Sequence, residues 1–517
     1  MIARTAPTIP DLIGRAGAES GDREALVDGD LRWTFADLAE QVYRCAGAMI
    51  AAGVEPGDRV AVWAPNGHRL VVAALGAVTA GAVLVPVNTR FKGDEAGWIL
   101  SRSGARLLLV ENGFLGNDYV GMLREAAPDL PLQARTVTLP GDWEEFLARA
   151  APLPEVLRRA SRVGPDDIAD MFFTSGTTGR PKGVLAAHGQ NLRVFEAWCS
   201  GVGLRAGDRY LIVNPMFHTF GYKAGVLACL LRGATMVPLP VFDVPRVLAV
   251  IEAERITVLP GPPTLYASIL DHPAAAATRL SSLRLAVTGA AVVPVRLIER
   301  MREELFPEVI IAYGLTESCG TVTVGDPRTE PALAARTVGR AIEGTEVIVA
   351  DPAGRPLRPG ESGEVLVRGY NVMRGYFEDP AATASAIDAA GWLHTGDVGV
   401  LDADGNLRIT DRLKDMYITG GFNVYPAEVE QAIARHPAVS EAAVVGMPDE
   451  RLGEAGLAYV IARPGQSATE AEILGFCRER LANFKVPRAV LFVDTLPRNA
   501  AGKVLKYELR SRQGIPT

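Results

Sequence analysis

Short apolar segments alternate with longer segments of helical periodicity between residues 24 and 320. The short segments are rich in β-branched residues and are bounded by polar or turn-forming residues, which is typical of buried strands. They predict strands at residues 59–63, 82–87, 106–110, 209–213, 235–238, 258–259, 285–288 and 309–312. Strands that alternate with helices in this way predict an α/β fold built on parallel sheets.

One segment, residues 70–87, contains eighteen residues without a charge. That length raises the alternative of a transmembrane helix. Gly76, Gly81 and Pro86 interrupt the segment, and such residues mark breaks between elements. We therefore expect an alanine-rich helix at 70–80 followed by a strand at 82–87, and no membrane span.

The pattern changes after residue 337. Alternating segments at 346–350, 363–368 and 406–410 lie between turn sequences and predict a small antiparallel β region at about 337–411. From residue 412 onward, helical segments are expected at 426–434 and 469–481, and strands at 441–445, 458–462 and 489–492. Thr469 and Glu472 have the spacing of a capping box, which supports the start of the second helix.

Length and composition narrow the class of protein. The 517 residues exceed the size at which one core stops growing, about 250–300 residues. We therefore expect a large N-terminal domain over 1–411, which includes the β region, and a small α+β C-terminal domain over 412–517. The 53 basic and 60 acidic side chains give a net charge of -7 without a basic block, which argues against a nucleic-acid partner.

The cysteines and the N-terminus indicate where the protein works. The five cysteines are scattered and lack the spacing of a disulfide framework or a zinc site. The first residues lack the apolar core and cleavage site of an export signal. A cytoplasmic location is expected, and the oligomeric state stays open, with a homodimer as one candidate.

The sequence Thr-Ser-Gly-Thr-Thr-Gly-Arg-Pro-Lys-Gly at residues 174–183 follows the apolar segment 168–173. Its glycines permit turns that point successive N–H groups inward, and its hydroxyls and Lys182 add donors and positive charge. The spacing differs from that of the P-loop. The pattern predicts a phosphate-binding loop of a different nucleotide chemistry, although an isolated Ser/Thr/Gly loop is also typical of a plain surface turn.

Other segments carry further groups that a nucleotide needs. Tyr313-Gly314-Leu315-Thr316-Glu317 follows a predicted strand, at the end where open α/β sheets bind ligands. Gly289-Ala290-Ala291 ends another strand with residues small enough for a flat ring to approach. Asp397 is expected as an exposed carboxylate on a turn, suited to a ribose diol, and Lys503 lies in a Pro/Gly loop. Taken singly, such segments are more often helix caps, turns or solvated tails. Their occurrence together, in this order along one chain, favours a nucleotide-binding site.

In this order the segments resemble the acyl-adenylate-forming superfamily of acyl-CoA synthetases, adenylation domains and firefly luciferase, over essentially the whole chain. The resemblance implies a large N-terminal domain of packed α/β subdomains and a small C-terminal domain that rotates between two poses. It also implies a two-step reaction. A carboxylate attacks the α-phosphorus of MgATP to give acyl-AMP and pyrophosphate, and the thiol of coenzyme A (CoA) then displaces AMP.

The resemblance assigns ATP and AMP to a defined set of residues. The loop at 174–183 would hold the β- and γ-phosphates, Thr316 would touch the α-phosphate, and Glu317 would bind Mg²⁺, a hard cation that prefers oxygen ligands. Tyr313 would lie against adenine, and Asp397 would hold the ribose. The implied set is Thr174, Ser175, Gly176, Thr177, Thr178, Gly179, Lys182, Gly289, Ala290, Ala291, Tyr313, Gly314, Leu315, Thr316, Asp397, Arg412 and Lys503.

The same resemblance implies roles outside the nucleotide site. Lys503 resembles the lysine that bridges the attacking carboxylate and the α-phosphate, and Lys414 resembles the hinge about which the small domain turns. Gly420-Gly421-Phe422 would face the reaction centre in the second pose and leave room for the pantetheine arm of CoA. His218 is either a packed core side chain between aromatic residues or the family's residue that borders the acyl carboxylate and gates the thiol tunnel.

The predicted acyl pocket is apolar with one exception. Its walls are expected from His218, Tyr222, Lys223, Pro263 and Val292. The lysine either snorkels to solvent or offers a polar handle for an oxygen on a bulky acyl group.

Segments 214–225, 259–266 and 270–273 resemble those of the actinobacterial ligases that activate the propionate side chain of the steroid C/D-ring indanedione. Thr219, where an asparagine is expected in such ligases, departs from the pattern and leaves room for a different acid. The sequence therefore favours an AMP-forming acid:CoA ligase for a ring-bearing propionate from steroid catabolism.

Three alternatives stay open at this point. The acid could be a medium- or long-chain fatty acid, and the acceptor could be a separate carrier protein instead of CoA. A nucleotide-binding regulatory protein without turnover is the alternative from another class. Intact Lys182, Glu317, Asp397, Arg412 and Lys503 argue against that last alternative.

Overall fold

The chain divides into two compact units, of which unit 1 comprises Met1–Glu346 and Val367–Leu393 and unit 2 comprises Val347–Leu366 and His394–Thr517. The structure is a computed structural model. It describes residues 6–130, 135–174, 181–289, 293–412, 415–419, 422–449, 452–479, 481, 483–498 and 503–512.

The strands are numbered in chain order. They are β1 (Glu24–Asp28), β2 (Leu31–Thr34), β3 (Arg59–Trp63), β4 (Val83–Pro86), β5 (Ala105–Val110), β6 (Thr136–Thr138), β7 (Ile168–Thr174), β8 (Lys182–Ala187), β9 (Arg209–Ile212), β10 (Thr235–Pro238), β11 (Val258–Pro260), β12 (Leu285–Gly289), β13 (Glu308–Tyr313), β14 (Thr323–Val324), β15 (Arg340–Ala341), β16 (Thr345–Ala350), β17 (Ser362–Gly369), β18 (Gly375–Tyr376), β19 (Leu393–Leu401), β20 (Leu407–Arg412), β21 (Tyr417–Thr419), β22 (Phe422–Val424), β23 (Val439–Asp449), β24 (Gly453–Ala462) and β25 (Ala489–Phe492).

The α-helices are numbered in the same way. They are α1 (Ile9–Glu19), α2 (Phe35–Ala51), α3 (His68–Thr79), α4 (Gly93–Ser103), α5 (Tyr119–Ala126), α6 (Trp143–Ala148), α7 (Leu153–Ala160), α8 (His188–Val202), α9 (Thr219–Gly221), α10 (Ala228–Arg232), α11 (Val244–Glu254), α12 (Pro263–Leu270), α13 (Val295–Glu304), α14 (Pro331–Ala334), α15 (Pro380–Ala386), α16 (Pro426–Ile433), α17 (Glu470–Arg478) and α18 (Lys506–Ser511). A π-helix, Tyr222–Leu227, lies between α9 and α10.

Unit 1 is built on two sheets, with strand orders β15-β14-β13-β12-β11-β9-β10-β1-β2 and β18-β8-β7-β4-β3-β5-β6. Their central strands pair in parallel, as in β12–β13 and β3–β4, whereas strands toward the edges, such as β2 and β8, pair antiparallel. The predicted parallel strands lie in these sheets, and their apolar runs are buried on both faces, as helix-covered sheets require. The α/β prediction is confirmed.

Residues 70–87 separate into a helix and a strand as predicted. Helix α3 buries all its residues from Leu70 to Thr79, and β4 follows directly. Gly76 allows α3 to approach α2, because a Cβ there would lie 2.9 Å from Cys45 Sγ. In the described part of the chain, no helix is long and apolar enough to cross a membrane.

The strands that lie mainly in unit 2 form two small sheets. One has the order β16-β17-β19-β20, and the other has the order β22-β21-β24-β23 with β25 paired to β24. Helix α17 starts with the predicted capping box, in which Glu472 Oε2 accepts from the N–H of Thr469 at 2.7 Å and Thr469 Oγ1 accepts from the N–H of Glu472 at 3.3 Å. Apolar side chains of α16, α17, β23 and β24 form a core within this unit.

Candidate active site

Two segments from the predicted phosphate and metal sites meet in unit 1. Thr174 ends β7, and its Oγ1 lies 3.4 Å from Glu317 Oε1, although 143 residues separate them in the chain. Glu317 lies in a 3₁₀ turn, Thr316–Ser318, that follows the end of β13. Thr316 and Glu317 are only half-buried, so a ligand can reach them. The carboxyl end of β13 thus carries the groups that its motif predicted.

The phosphate-loop segment joins an antiparallel hairpin. Thr174 at the end of β7 pairs with Lys182 at the start of β8. Sequence reasoning identified β7 but missed β8, because a run of small residues such as 183–187 is also compatible with a helix. The predicted contacts Ser175, Gly176, Thr177, Thr178 and Gly179 lie outside the described residues.

Tyr376 is a site residue that sequence reasoning missed. Its hydroxyl donates to Glu317 Oε1 at 3.0 Å, and Lys182 Nζ lies 5.0 Å from the centroid of its ring. Burial and the neighbouring carboxylate of Glu317 raise the pKa of Tyr376, so its hydroxyl remains a donor. Only the turn sequence Arg374-Gly375-Tyr376 marks this position in the sequence. The tyrosine links the phosphate-loop lysine to the predicted metal ligand.

Two predicted nucleotide-site glycines are required by backbone packing. A Cβ at Gly289 would lie 2.3 Å from the carbonyl oxygen of Ala312 on β13, and a Cβ at Gly314 would lie 2.3 Å from the carbonyl oxygen of Gly320. Tyr313 and Leu315 beside them are half-buried. Ala290 and Ala291 lie outside the described residues, as does Val292 of the predicted acyl pocket.

His218 lies where the chain enters α9. Its backbone N–H donates to the carbonyl of Pro215 at 3.0 Å, and its ring lies 4.8 Å from that of Phe217. Within the described residues, its Nε2 is buried and has no hydrogen-bond partner. Burial and the nearby positive charge of Arg90 lower the pKa of His218 to about 4, so the ring is neutral near pH 7. A histidine in a protein core usually has hydrogen-bond partners for its ring nitrogens. A neutral ring whose Nε2 lacks a partner therefore favours the alternative in which His218 contacts a substrate group.

The predicted acyl-pocket residues Tyr222, Lys223 and Pro263 are all buried. Tyr222 and Lys223 begin the π-helix, and Pro263 begins α12. Lys223 is 1% exposed, and its ammonium lies 2.9 Å from Asp170 Oδ1. The alternative in which Lys223 snorkels to solvent is therefore wrong. The charge of Lys223 is paired with that of Asp170. Contact between Lys223 and an acyl group stays a prediction.

Within unit 2, Asp397 and Arg412 lie opposite each other on β19 and β20. Asp397 is 3% exposed, which corrects the expectation of an exposed carboxylate on a turn. Gly396, one residue earlier, also lies within β19 and has a φ of +67°. Asp397 therefore lies on a strand and not on a turn. Lys414, Gly420 and Gly421 lie outside the described residues, and of Phe422 the structure describes only the backbone, at the start of β22.

Lys503 is exposed, at the base of a loop whose two ends are held together. Arg498 and Val504 form an antiparallel bridge, and the N–H of Leu505 donates to the carbonyl of Pro497 at 2.8 Å. The role of Lys503 at the reacting groups stays a prediction.

The residues around Glu317 fit a magnesium ion that is shared with a nucleotide. Among the described residues, no group of three or more His, Cys, Asp and Glu side chains is placed to hold a metal. Mg²⁺ is usually bound by one or two carboxylates together with substrate phosphates and waters. The half-buried carboxylate of Glu317, beside the hydroxyls of Thr174 and Tyr376, supplies oxygen ligands of that kind.

Comparison with known proteins places the chain in a family. The family model "AMP-binding enzyme" matches residues 14–377, and the model "AMP-binding enzyme C-terminal domain" matches residues 428–503. The chain belongs to the AMP-binding enzymes. It is an AMP-forming CoA ligase, and ATP, Mg²⁺, CoA and a small carboxylic acid are its substrates and cofactor.

Individual relatives cover nearly the whole chain. A ligase from Rhodococcus jostii, named 3-[(3aS,4S,7aS)-7a-methyl-1,5-dioxo-octahydro-1H-inden-4-yl]propanoyl:CoA ligase, is 53% identical over 98% of this chain and 99% of its own. The structure of an anthranilate CoA ligase in complex with anthranoyl-AMP matches with a TM-score of 0.89 and 29% identity, over 99% of this chain and 98% of that one. An o-succinylbenzoate CoA synthetase from Bacillus subtilis, in complex with ATP and magnesium, matches with a TM-score of 0.84 and 31% identity, over 96% and 99% of the two chains.

Proposed function

We propose that this ligase activates a ring-bearing propionate derived from a steroid and transfers the acyl group to CoA. The observation that carries the proposal is the 53% identity, over nearly the full length, to the ligase named for an indane propanoate. The acyl-pocket segments at 214–225 and 259–266 support it, because they resemble that group of ligases. Fatty acids are the alternative substrates. They stay an alternative because Thr219 stands where an asparagine is expected in the steroid-propionate ligases.

Adenylation requires two anions to meet, so positive charge and hydrogen-bond donors must concentrate at the α-phosphate. The phosphate loop with Lys182 holds the β- and γ-phosphates in this proposal, and Thr316 contacts the α-phosphate. Glu317 ligates Mg²⁺, which neutralises phosphate charge when bound. Lys503 contacts both the acyl carboxylate and the α-phosphate, and its charge favours the developing negative charge as the oxygen–phosphorus bond forms and pyrophosphate leaves.

The remaining contacts hold the nucleoside and prepare the second step. Tyr313 lies against adenine, with Gly289 to Ala291 and the Gly314-Leu315 backbone beside it. Asp397 binds both ribose hydroxyls with help from Arg412. Rotation about Lys414 then brings Gly420, Gly421 and Phe422 to the reaction centre, where the thiol of CoA attacks the acyl carbonyl carbon and AMP leaves.

His218 borders the acyl carboxylate in this proposal and, with Tyr222, Lys223, Pro263 and Val292, forms the acyl pocket. A neutral His218 supports it, because an uncharged imidazole can donate to a carboxylate oxygen without an ion pair that would reduce the nucleophilicity of the carboxylate. We place the boundary between the catalytic domains at residues 411 and 412, and we propose a homodimer in the cytoplasm. Five buried cysteine thiols support a reducing compartment.

A screen of AMP release tests the substrate. Short, medium and long fatty acids, aryl acids and polycyclic propionates are each supplied with ATP, Mg²⁺ and CoA, and kcat/KM is measured. We expect an indanedione propionate to exceed every straight-chain acid. A straight-chain acid with the highest kcat/KM would overturn the steroid assignment. Consumption of CoA without an added carrier protein separates CoA from a carrier as the acceptor.

A further inference from the structure

Four buried polar side chains form a closed ring inside unit 1. Asp170 Oδ1 lies 2.9 Å from Lys223 Nζ, and Asp170 Oδ2 accepts from Asn191 Nδ2 at 2.6 Å. Cys319 Sγ donates to Asn191 Oδ1 at 3.0 Å and lies 3.5 Å from Lys223 Nζ. None of the four side chains is more than 1% exposed. In the proposed function, Lys223 is part of the acyl pocket, and the other three residues of the ring have no task.

Each member of the ring comes from a segment that carries a proposed reaction residue or packs against one. Asp170 lies on β7, four residues before Thr174, and Cys319 lies two residues after Glu317. Lys223 lies in the π-helix, five residues after His218. Asn191 lies on α8, the helix that directly follows the β7–β8 hairpin. The ring therefore ties the segments that bear the phosphate, metal and acyl-carboxylate residues.

The turn that carries Glu317 depends on its connection to Cys319. Cys319 adopts a left-handed backbone with φ of 57°, which is uncommon for a non-glycine residue. Its N–H donates to the carbonyl of Thr316 at 3.0 Å. The next residue, Gly320, packs against Thr219, because a Cβ there would lie 3.3 Å from Thr219 Cβ. The sulfur contacts connect this turn to Lys223 of the π-helix and to Asn191 of α8.

Stability alone is a poor explanation for the ion pair. Replacement of a buried ion pair by apolar residues of similar size is often neutral or stabilising, because desolvation offsets the attraction of the charges. The ammonium also lies 5.2 Å from the centroid of the Phe172 ring, which is a further anchor on β7. The π-helix that presents Lys223 is a rare geometry that is found frequently at functional sites.

We propose that Asp170 and Lys223 are positioning residues for adenylation. Their ion pair, extended by Asn191 and Cys319, fixes β7, the Glu317 turn and the π-helix in one arrangement. In this arrangement the acyl carboxylate would lie in line with the bond between the α-phosphorus and the leaving pyrophosphate. The inference rests on the proposed roles of Thr174, Glu317 and His218. It gives Lys223 an internal task and does not require contact with the acyl group.

The test compares Lys223→Met with the double variant Lys223→Met/Asp170→Asn. The single variant leaves a buried carboxylate unpaired, so its thermal midpoint should fall strongly. The double variant removes both charges and keeps an acceptor for Asn191, so its thermal midpoint should return toward that of the wild type. Lys485→Ala is the matched control, because Lys485 pairs with Glu428 on the surface of unit 2.

Each protein is assayed with the acid that the wild type activates fastest, so a wrong steroid assignment does not affect the test. We expect the double variant to form acyl-adenylate about 10- to 100-fold more slowly than the wild type, because misplacement by about 1 Å has effects of that size. Thioester formation from supplied acyl-adenylate should stay within about threefold, since that step needs neither pyrophosphate departure nor Mg²⁺.

Calorimetric titration of ATP gives a readout that does not depend on turnover. In the wild type, Mg²⁺ should lower the dissociation constant of ATP. In the double variant, Mg²⁺ should lower it less. Without Mg²⁺, the two proteins should bind ATP with the same dissociation constant. Equal adenylation rates in the two proteins, or equal losses in both half-reactions, would overturn the proposal. If the double variant does not fold, Cys319→Ala, which keeps the ion pair and removes only the sulfur contacts, must show the same selective loss of adenylation.

Discussion

Single side chains of unit 1 obtain their geometry from partners far away in the chain. Glu317 is held by Tyr376 and Thr174, and Lys223 is held by Asp170. Asp397 of unit 2 is buried by its position on β19. Sequence motifs identify the chemical groups, because a phosphate site needs hydroxyls and cations, but they do not show which residue pairs fold together. Tyr376 and Asp170 had no motif of their own and could be found only in the structure.

Lys503 supplies a prediction at this scale. We expect Lys503→Ala to slow acyl-adenylate formation by about 10²- to 10³-fold, the usual effect of removing one group that stabilises developing charge. Conversion of supplied acyl-adenylate to the thioester should change by less than about tenfold, because the lysine contacts the acyl carboxylate and the α-phosphate only during adenylation. Pyrophosphate release and thioester formation are measured separately, with Lys485→Ala as the surface control. Equal loss in both steps would contradict the assigned role.

His188 makes unit 1 sensitive to acid. Its side chain is 1% exposed, and burial lowers its pKa to about 4 from the ordinary 6.5. Between these values the unfolded chain binds the proton and the folded chain does not, so stability rises with pH from about 4 to 6.5 and is lost as pH falls through that window. The difference between the two pKa values corresponds to about 3 kcal/mol in the free energy of unfolding. We expect His188→Asn to lose less stability than the wild type between pH 7 and pH 4, as measured by urea unfolding of both proteins. Parallel pH profiles would contradict this.

Some strands were predicted with their bounds. The bounds of β3, β10 and β25 agree with the sequence prediction. β8 was missed because its small residues carry little contrast, and only its pairing with β7 makes it a strand. The π-helix at Tyr222–Leu227 was not predicted either. A mostly apolar segment shows no periodicity of polar and apolar residues from which a wider helix could be recognised.

The β7–β8 hairpin carries a second prediction. Lys182 starts β8, and its Nζ lies over the ring of Tyr376. We expect Lys182→Ala to slow adenylation by at least about tenfold, because the lost cation faces the departing pyrophosphate, and to affect thioester formation much less. The two half-reactions are compared with those of Lys92→Ala, whose side chain lies on the surface beside Asn117. A larger effect on the thioester step would place the lysine in a different role.

At the scale of the whole molecule, the chain consists of two compact units. Thr174, Glu317 and His218 belong to unit 1, and Asp397, Arg412 and Lys503 belong to unit 2. These bounds differ from the predicted division at residues 411 and 412, because residues 347–366 and 394–411 cluster with the C-terminal residues in unit 2. The boundary at 411 and 412 and the hinge at Lys414 stay predictions. In the proposed reaction, Lys503 serves only adenylation, and a group on a mobile domain can be withdrawn before CoA attacks.

Substitution of the hinge tests whether the two steps require two arrangements. Proline fixes φ near −65°, so Lys414→Pro should let the proposed C-terminal domain, residues 412–517, adopt only one of the two poses. One half-reaction should then fall at least tenfold more than the other, whereas Lys414→Ala, which keeps backbone freedom, should retain both. Acyl-adenylate formation and thioester formation from supplied acyl-adenylate are measured on each variant, and circular dichroism confirms folding. If Lys414→Pro lowers both rates by the same factor, rotation at this residue does not separate the two steps.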